Sequence, residues 1–210
     1  MEMIFPGMLA LIFVVVLASI GNEGMWSNAI VLFNVVTAAL VATNFWEKLA
    51  AFLMTKASGG VYLWDFISLW ALFAGTYLAL RTLTDAASRV RVRFPKNVDL
   101  VGSYFFACWT GWVLVCFFTM TAHTAPLSKN FLFGGFKPEQ QMFFGLAPDR
   151  QWLGFMQKES RGSFARSAPA DKPEAYVFDP NGEYMIKYAA RRSVMQKGVD
   201  VWVSSKFKQR

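Results

Sequence analysis

Four long apolar runs follow one another in the first part of the chain. In order, they cover residues 4–20, 26–46, 61–80 and 98–121. Their charged residues are Asp65 in the third run and Asp99 at the start of the fourth. A helix crosses the hydrocarbon core of a bilayer with about 20 apolar residues. Because the backbone must satisfy its own hydrogen bonds in lipid, the pattern predicts an all-α fold with four transmembrane helices.

A more polar segment follows the last run and carries one clear helix signal. Asp179 and Pro180 suit the N-cap and the first position of a helix, predicted over roughly residues 181–197. The predicted domains are therefore a transmembrane domain, residues 1–124, and a C-terminal tail, residues 125–210. One side of the predicted tail helix carries Tyr184, Tyr188, Arg191, Arg192 and Met195. Such a side favours docking on the membrane or a neighbouring helix, or recognition of a specific partner.

Charge divides the chain in the same way. The 210 residues are 55% hydrophobic and 17% charged, whereas a typical soluble domain has about 25% charged residues. The transmembrane domain holds seven basic and six acidic side chains, and the tail holds fourteen basic and eight acidic ones. Most of the net charge of +7 therefore belongs to the tail.

Basic residues of the transmembrane domain gather around the third loop. The cluster consists of Arg81, Arg89, Arg91, Arg93 and Lys96. Apolar positions at helical spacing predict that the third helix continues here as an amphipathic extension, which Pro95 ends. Since cytoplasmic loops are enriched in Lys and Arg, we expect this loop in the cytoplasm and both termini outside it. The nearest phosphates are anionic lipid headgroups, and we expect no nucleic acid as a partner.

Small residues recur every fourth position in the third and fourth predicted helices. The two stripes are Ala71, Gly75 and Ala79 in the third and Ser103, Ala107 and Gly111 in the fourth. Small side chains let helix backbones approach closely in membranes. The stripes therefore predict a tight hairpin between these two helices.

Residues with catalytic chemistry are scarce. Asp65 is an acid within a predicted span, so it is a candidate ion or proton site, although it could equally favour the helix dipole near a helix start. Asn34 and Asn44 give the second helix a polar side, for bonds between helices or for a polar path. The single histidine, His123, provides no multi-histidine metal site, and we expect no enzyme activity, cofactor or metal.

Two segments together resemble a known family. The turn "GNEGMWSNA" contains Gly21 and Gly24, and Asp99, the predicted N-cap of the fourth helix, precedes Gly102, Ala107 and Gly111. Over residues 4–122 this arrangement resembles the colicin V production protein (CvpA) family of bacterial inner-membrane proteins. The resemblance implies a multi-pass inner-membrane protein, linked to toxin production or export or to envelope homeostasis. Some members carry an extracytoplasmic domain after the last span.

We therefore expect a non-enzymatic membrane scaffold whose partners are the lipid bilayer and either copies of itself or other membrane proteins. A small oligomeric channel or transporter subunit is the alternative, since four spans with a polar side could form a pore only as an oligomer.

Overall fold

The computed structural model describes residues 3–56, 63–88, 94–127, 140–162 and 176–196, with positions 92, 136, 165, 167, 169 and 174. Within these residues there are six helices and no strand. In chain order they are α1 (Ile4–Ile20), α2 (Met25–Lys56), α3 (Trp64–Ala87), α4 (Lys96–Ala122), α5 (Pro148–Arg161) and α6 (Tyr184–Gln196). The all-α expectation is confirmed for this part of the chain.

Three of these helices, α2, α3 and α4, are long and apolar enough to cross a membrane. The helix of the first run, α1, is also apolar but has only 17 residues. The second helix is longer than predicted, because it continues ten residues past Trp46 to Lys56. The third ends at Ala87, where Ser88 leaves the helical region with φ −96° and ψ 59°, and does not continue to Pro95.

The long helix α2 is the centre of the bundle. It packs against α3 on one side and α4 on the other, and α1 lies against α4. Ala38, Ala39 and Ala42 of α2 are fully buried. Since such small side chains leave room for neighbouring backbones, they explain how one helix can contact two others closely.

The predicted hairpin between α3 and α4 is wrong, because the two stripes of small residues do not meet. The α3 stripe is exposed, and a Cβ added at Gly75 would meet no atom within 4 Å. The α4 stripe is buried, and a Cβ at Gly111 would lie 3.0 Å from the Phe13 ring of α1. Since α2 lies between α3 and α4, these two meet through aromatic rings, with Phe73 and Phe117 4.8 Å apart.

The helices α5 and α6, with residues 140–147 and 176–183, form a cap on one end of the bundle. At this cap end α2 and α4 finish and α3 begins. Trp152 and Met156 of α5 and Tyr184 and Tyr188 of α6 are buried in the same apolar core as the bundle helices. The other end, called the loop end, contains the α1–α2 turn, the last turn of α3 and the start of α4.

Candidate functional site beneath the cap

Asp65, the predicted ion or proton site, lies at the cap end in the first turn of α3 and is only 5% exposed. Its Oδ2 atom accepts a hydrogen bond of 3.1 Å from the Tyr188 hydroxyl and pairs with the guanidinium of Arg191. Both partners belong to α6. The positive end of the α3 dipole favours a carboxylate at this position. Asp65 therefore joins the start of a membrane helix to the cap.

A second buried pair lies where α4 ends and α5 begins. His123 follows the last residue of α4, Asp149 lies in the first turn of α5, and both side chains are fully buried. The His123 Nε2 and Asp149 Oδ2 atoms are 2.9 Å apart. Arg192 of α6 donates from Nη1 to the His123 carbonyl oxygen at 2.8 Å. Since the last carbonyls of a helix have no partner within it, this cation stabilises the end of α4.

Burial determines the protonation of the second pair. It lowers the pKa of His123 from its usual 6.5, while the hydrogen bond and charge of Asp149 act in the opposite direction. The ring is therefore neutral at neutral pH and donates its Nε2 proton to the carboxylate. Among the described residues, His123 Nδ1 and Asp149 Oδ1 have no hydrogen-bond partner.

Neutral hydroxyl and indole donors complete the contact between cap and bundle. Burial raises the pKa of Tyr184 and Tyr188, so both act as uncharged donors. Tyr184 donates to the sulfur of Met120 at 3.0 Å. Trp152 donates from Nε1 to the Thr43 hydroxyl at 3.1 Å. The cap thus bonds to all three long helices.

The space left between these groups is small. A cavity of about 10 Å³ lies between His123, Thr124, Tyr188 and the two arginines of α6. A site needs about 10–15 Å³ to hold one water molecule. Among the described residues, this cavity therefore has the volume for about one water molecule.

The three predicted polar-path residues are not brought together. Asn34 is buried and donates to the Thr84 hydroxyl of α3 at 2.9 Å, joining the two helices. Asn44 is exposed and donates to the Leu40 carbonyl of its own helix at 2.9 Å. Asp65 bonds to the cap. Each of the three therefore has a separate partner.

Hydrogen bonds between residues of the bundle hold the loop end. Asn28 of α2 donates from Nδ2 to the Ile20 carbonyl at 2.8 Å and to the Ser103 hydroxyl at 2.8 Å. Asp99 accepts a 2.9 Å bond from the backbone N–H of Met25. The prediction that Asp99 caps its own helix is wrong, because α4 begins at Lys96, with Pro95 as its N-cap, and Asp99 lies one turn inside. It caps the first turn of α2 instead.

The basic cluster is only partly within the described residues. Arg81 pairs with Asp85 one turn further along α3 at 3.0 Å, and Lys96 is exposed at the start of α4. Arg89, Arg91 and Arg93 lie outside the described residues. Beside this cluster an open groove of about 1050 Å³ runs along the loop end, lined by Glu23, Trp26, Arg81, Asp85 and Asp99 among others.

Most members of the buried network stand out in the sequence as separate features. Asp65 and the side of α6 with two tyrosines and two arginines are visible there, but the sequence does not connect them. Asp149 and the helix α5 that carries it were not predicted. A signal was present, since Pro148 and Asp149 precede a charged segment with Trp152 and Met156 at helical spacing.

Compared with models of protein families, with curated proteins and with solved structures, the chain has no significant match. Within the described residues, no group of three or more His, Cys, Asp or Glu side chains could hold a metal ion.

Proposed function

We propose that the chain is a four-span bacterial inner-membrane protein of the colicin V production type. It acts as a scaffold in toxin production or export, or in envelope homeostasis. The packing of α1 supports a fourth span, because Gly21 lies close to Tyr104 of α4 and Phe5 shares a buried cluster with Ala122. Helix α1 thus runs along most of α4. Its 17 residues rise about 25 Å, slightly less than the hydrocarbon thickness of about 30 Å.

The observation that carries the scaffold function is the use of the buried charges. Asp65 and Asp149 each pair with a group from another part of the bundle or cap, and the cavity beside those partners, His123 and Arg191, has the volume of about one water molecule. Groups arranged in this way fix one conformation and present the outer surfaces of cap and loop end.

Cysteine labelling in intact cells tests the membrane arrangement. Ala87 at the loop end and Ala190 on the cap are both exposed, so Ala→Cys at either position is a matched pair. Cys108 and Cys116 are first replaced by alanine. We expect a membrane-impermeant maleimide to label position 190 from outside, and position 87 only after permeabilisation. Labelling of both positions from one side would contradict the proposed arrangement.

Complementation tests the scaffold function. Deletion of the gene should impair growth under envelope stress or toxin release, and the wild-type chain should restore it. Asp65→Ala, which frees the cap, should fail to restore it at equal membrane abundance. Asp85→Ala is the control, since Asp85 pairs with Arg81 on the exposed side of the same helix. Full rescue by Asp65→Ala would contradict a role for the docked cap.

One observation favours the second candidate, an oligomeric channel or transporter subunit. The groove of about 1050 Å³ at the loop end is open and has charged walls, as a vestibule would. Below it, Asn34 bonds to Thr84 inside the bundle. Solute flux in proteoliposomes that is lost in Asn34→Leu and in Asp65→Asn would favour this function. Well-reconstituted protein without flux would favour the scaffold.

A further inference from the structure

Helix α5 of the cap contacts α4 well before the cap end. The indole Nε1 of Trp112 donates to the Gln151 Oε1 atom of α5 at 3.0 Å. Trp112 lies ten residues before Ala122, the last residue of α4, which places it about 15 Å along the helix axis from the cap end. Trp152 likewise reaches Thr43, which is inside the second apolar run. The cap therefore extends down the side of the bundle.

The two flanks of α5 face different surroundings. Gln157 lies on one flank and donates to the Asp179 carbonyl at 2.8 Å, so this flank contacts the segment leading to α6. The other flank carries Gln151 and, one turn on, Phe155, which is 38% exposed. This second flank faces the part of α4 around Trp112, because Gln151 contacts Trp112.

The turn before α5 presents further large apolar side chains on the same side. Phe144 is 69% exposed and Leu146 is 51% exposed. The neighbouring Phe143 ring lies 5.9 Å from that of Trp112, so the turn also lies beside the middle of α4. An exposed apolar group of this kind, next to a membrane helix, continues the lipid-facing surface of the bundle.

Hydrogen bonds hold the end of this turn together. The Leu146 N–H donates to the Phe143 carbonyl at 3.1 Å, and the Ala147 N–H donates to the Met142 carbonyl at 3.0 Å. The Gln151 amide donates to the Leu146 carbonyl at 2.8 Å while its oxygen accepts the Trp112 bond. Since unpaired backbone groups are costly in hydrocarbon, these bonds lower the cost of placing the irregular turn near acyl chains.

We propose that the turn 140–147 and the Phe155 flank of α5 insert into the leaflet on the cap side. Helix α5 then lies against the bundle on the acyl-chain side of the headgroups, and its partner is the phospholipid acyl chains of that leaflet. Lys158, three residues after Phe155 and exposed, extends from this flank towards phosphates. The inference rests on the membrane location of the bundle given under the proposed function.

Spin labels in proteoliposomes of phosphatidylethanolamine and phosphatidylglycerol test this insertion. The full chain, with Cys108→Ala and Cys116→Ala, carries one nitroxide on cysteine in Phe144→Cys or, as a second site, Phe155→Cys. The control for water is Ile186→Cys, since Ile186 is also 69% exposed but lies on the side of α6 opposite the buried Tyr184 and Tyr188. The control for lipid is Leu11→Cys, 61% exposed midway along α1.

The measured quantity is the accessibility of each label to oxygen relative to a water-soluble nickel chelate. We expect this ratio at positions 144 and 155 to be several-fold higher than at 186 and to approach that at 11. Ratios at both positions equal to that at 186, with position 11 in lipid, would overturn the insertion alone. A water-like ratio at position 11 would overturn the membrane location of the bundle and the insertion with it.

Discussion

The two ends of the bundle both hold the ends of helices together, but they do so with different chemical groups. At the loop end, buried Asn28 and Ser103 join three segments through neutral hydrogen bonds. At the cap end, buried Asp65, His123 and Asp149 join four helices through charged or titratable groups. Both ends fill the positions where helices stop and polar backbone groups need partners.

This difference shows which end of the bundle depends on a docked segment for its stability. A neutral hydrogen bond contributes about 0.5–1.5 kcal/mol, and its groups tolerate partial exposure. A buried charge without its partner costs about 3–5 kcal/mol. The stability of the cap end therefore depends on the docked cap, whereas the described hydrogen bonds of the loop end join residues of the bundle itself.

Among the substitutions that compare the two ends, removal of the Asp65 carboxylate should cause the largest loss of stability. Asp65→Ala removes the carboxylate that pairs with Arg191 and accepts the Tyr188 hydroxyl bond beneath the cap. We expect a loss of about 3 kcal/mol, the lower part of the range for a buried pair, because the Arg191 side chain is 19% exposed and can regain some water. Thermal unfolding in detergent micelles measures the loss.

Trypsin gives the same prediction a local readout. Arg192 is 8% exposed, so cleavage after it requires α6 to detach, and Asp65→Ala should accelerate this cleavage. Asp85→Ala removes an exposed pair with Arg81 and should cost only about 0.3–0.5 kcal/mol. Equal cleavage rates in the two variants would show that Asp65 does not hold the cap.

The His123 pair should make the stability of the cap end depend on pH. Because burial lowers the pKa of His123 below the 6.5 of the unfolded chain, the unfolded state binds the proton first. This contribution is complete above pH 6.5 and is lost as pH falls from there through the folded pKa. Burial, Arg192 and Arg150 lower the pKa of His123, whereas Asp149 raises it. Because these influences partly cancel, the effect of pH on stability should be smaller than the effect of Asp65→Ala.

His123→Gln separates titration from hydrogen bonding. Glutamine keeps an N–H donor for Asp149 but does not titrate in this range. Stability at pH 7.5 should change little, while the decline between pH 6.5 and 5, measured by thermal unfolding, should become shallower than in the wild type. An unchanged decline would assign the pH dependence to other groups.

Asn28→Ala should weaken the loop end less than the loss of Asp65 weakens the cap end. It removes the donor shared by the Ile20 carbonyl and the Ser103 hydroxyl and leaves both acceptors buried or half-buried. We expect a loss of about 1–3 kcal/mol in thermal unfolding. Asn44→Ala is the control within the same helix, since Asn44 is exposed, and it should stay within about 0.5 kcal/mol. Equal effects would remove the distinction between these asparagines.

The same contrast explains how far the sequence could predict the structure. Apolar runs predict long apolar helices well because each run is a local property, and α2, α3 and α4 are long and apolar enough to cross a membrane. The pairing of helices is not local. Ala71, Gly75 and Ala79 look the same in sequence as Ser103, Ala107 and Gly111, but only packing decides which stripe another helix covers.

The candidate site was harder to predict for a related reason. Asp65 is 126 residues away from Arg191, and His123 is 26 residues away from Asp149. Sequence patterns show an acid in a span and a basic helix side, but they do not show that one neutralises the other. In the structure, α5 and α6 share an apolar core with the bundle helices, which the polar composition of the tail does not indicate.

The smallest effects on stability should come from substituting the glycine in each stripe of small residues, and the two effects should have opposite signs. Gly75→Ala adds a methyl group where no atom lies within 4 Å, so the better helix propensity of alanine should raise stability by up to about 1 kcal/mol. Gly111→Ala places its methyl group 3.0 Å from the Phe13 ring and should lower stability by about 1 kcal/mol. Thermal unfolding in micelles, at several protein concentrations, measures both. A loss for Gly75→Ala that grows with protein concentration would show that the exposed α3 stripe contacts a second copy of the chain, the self-association that the sequence left open.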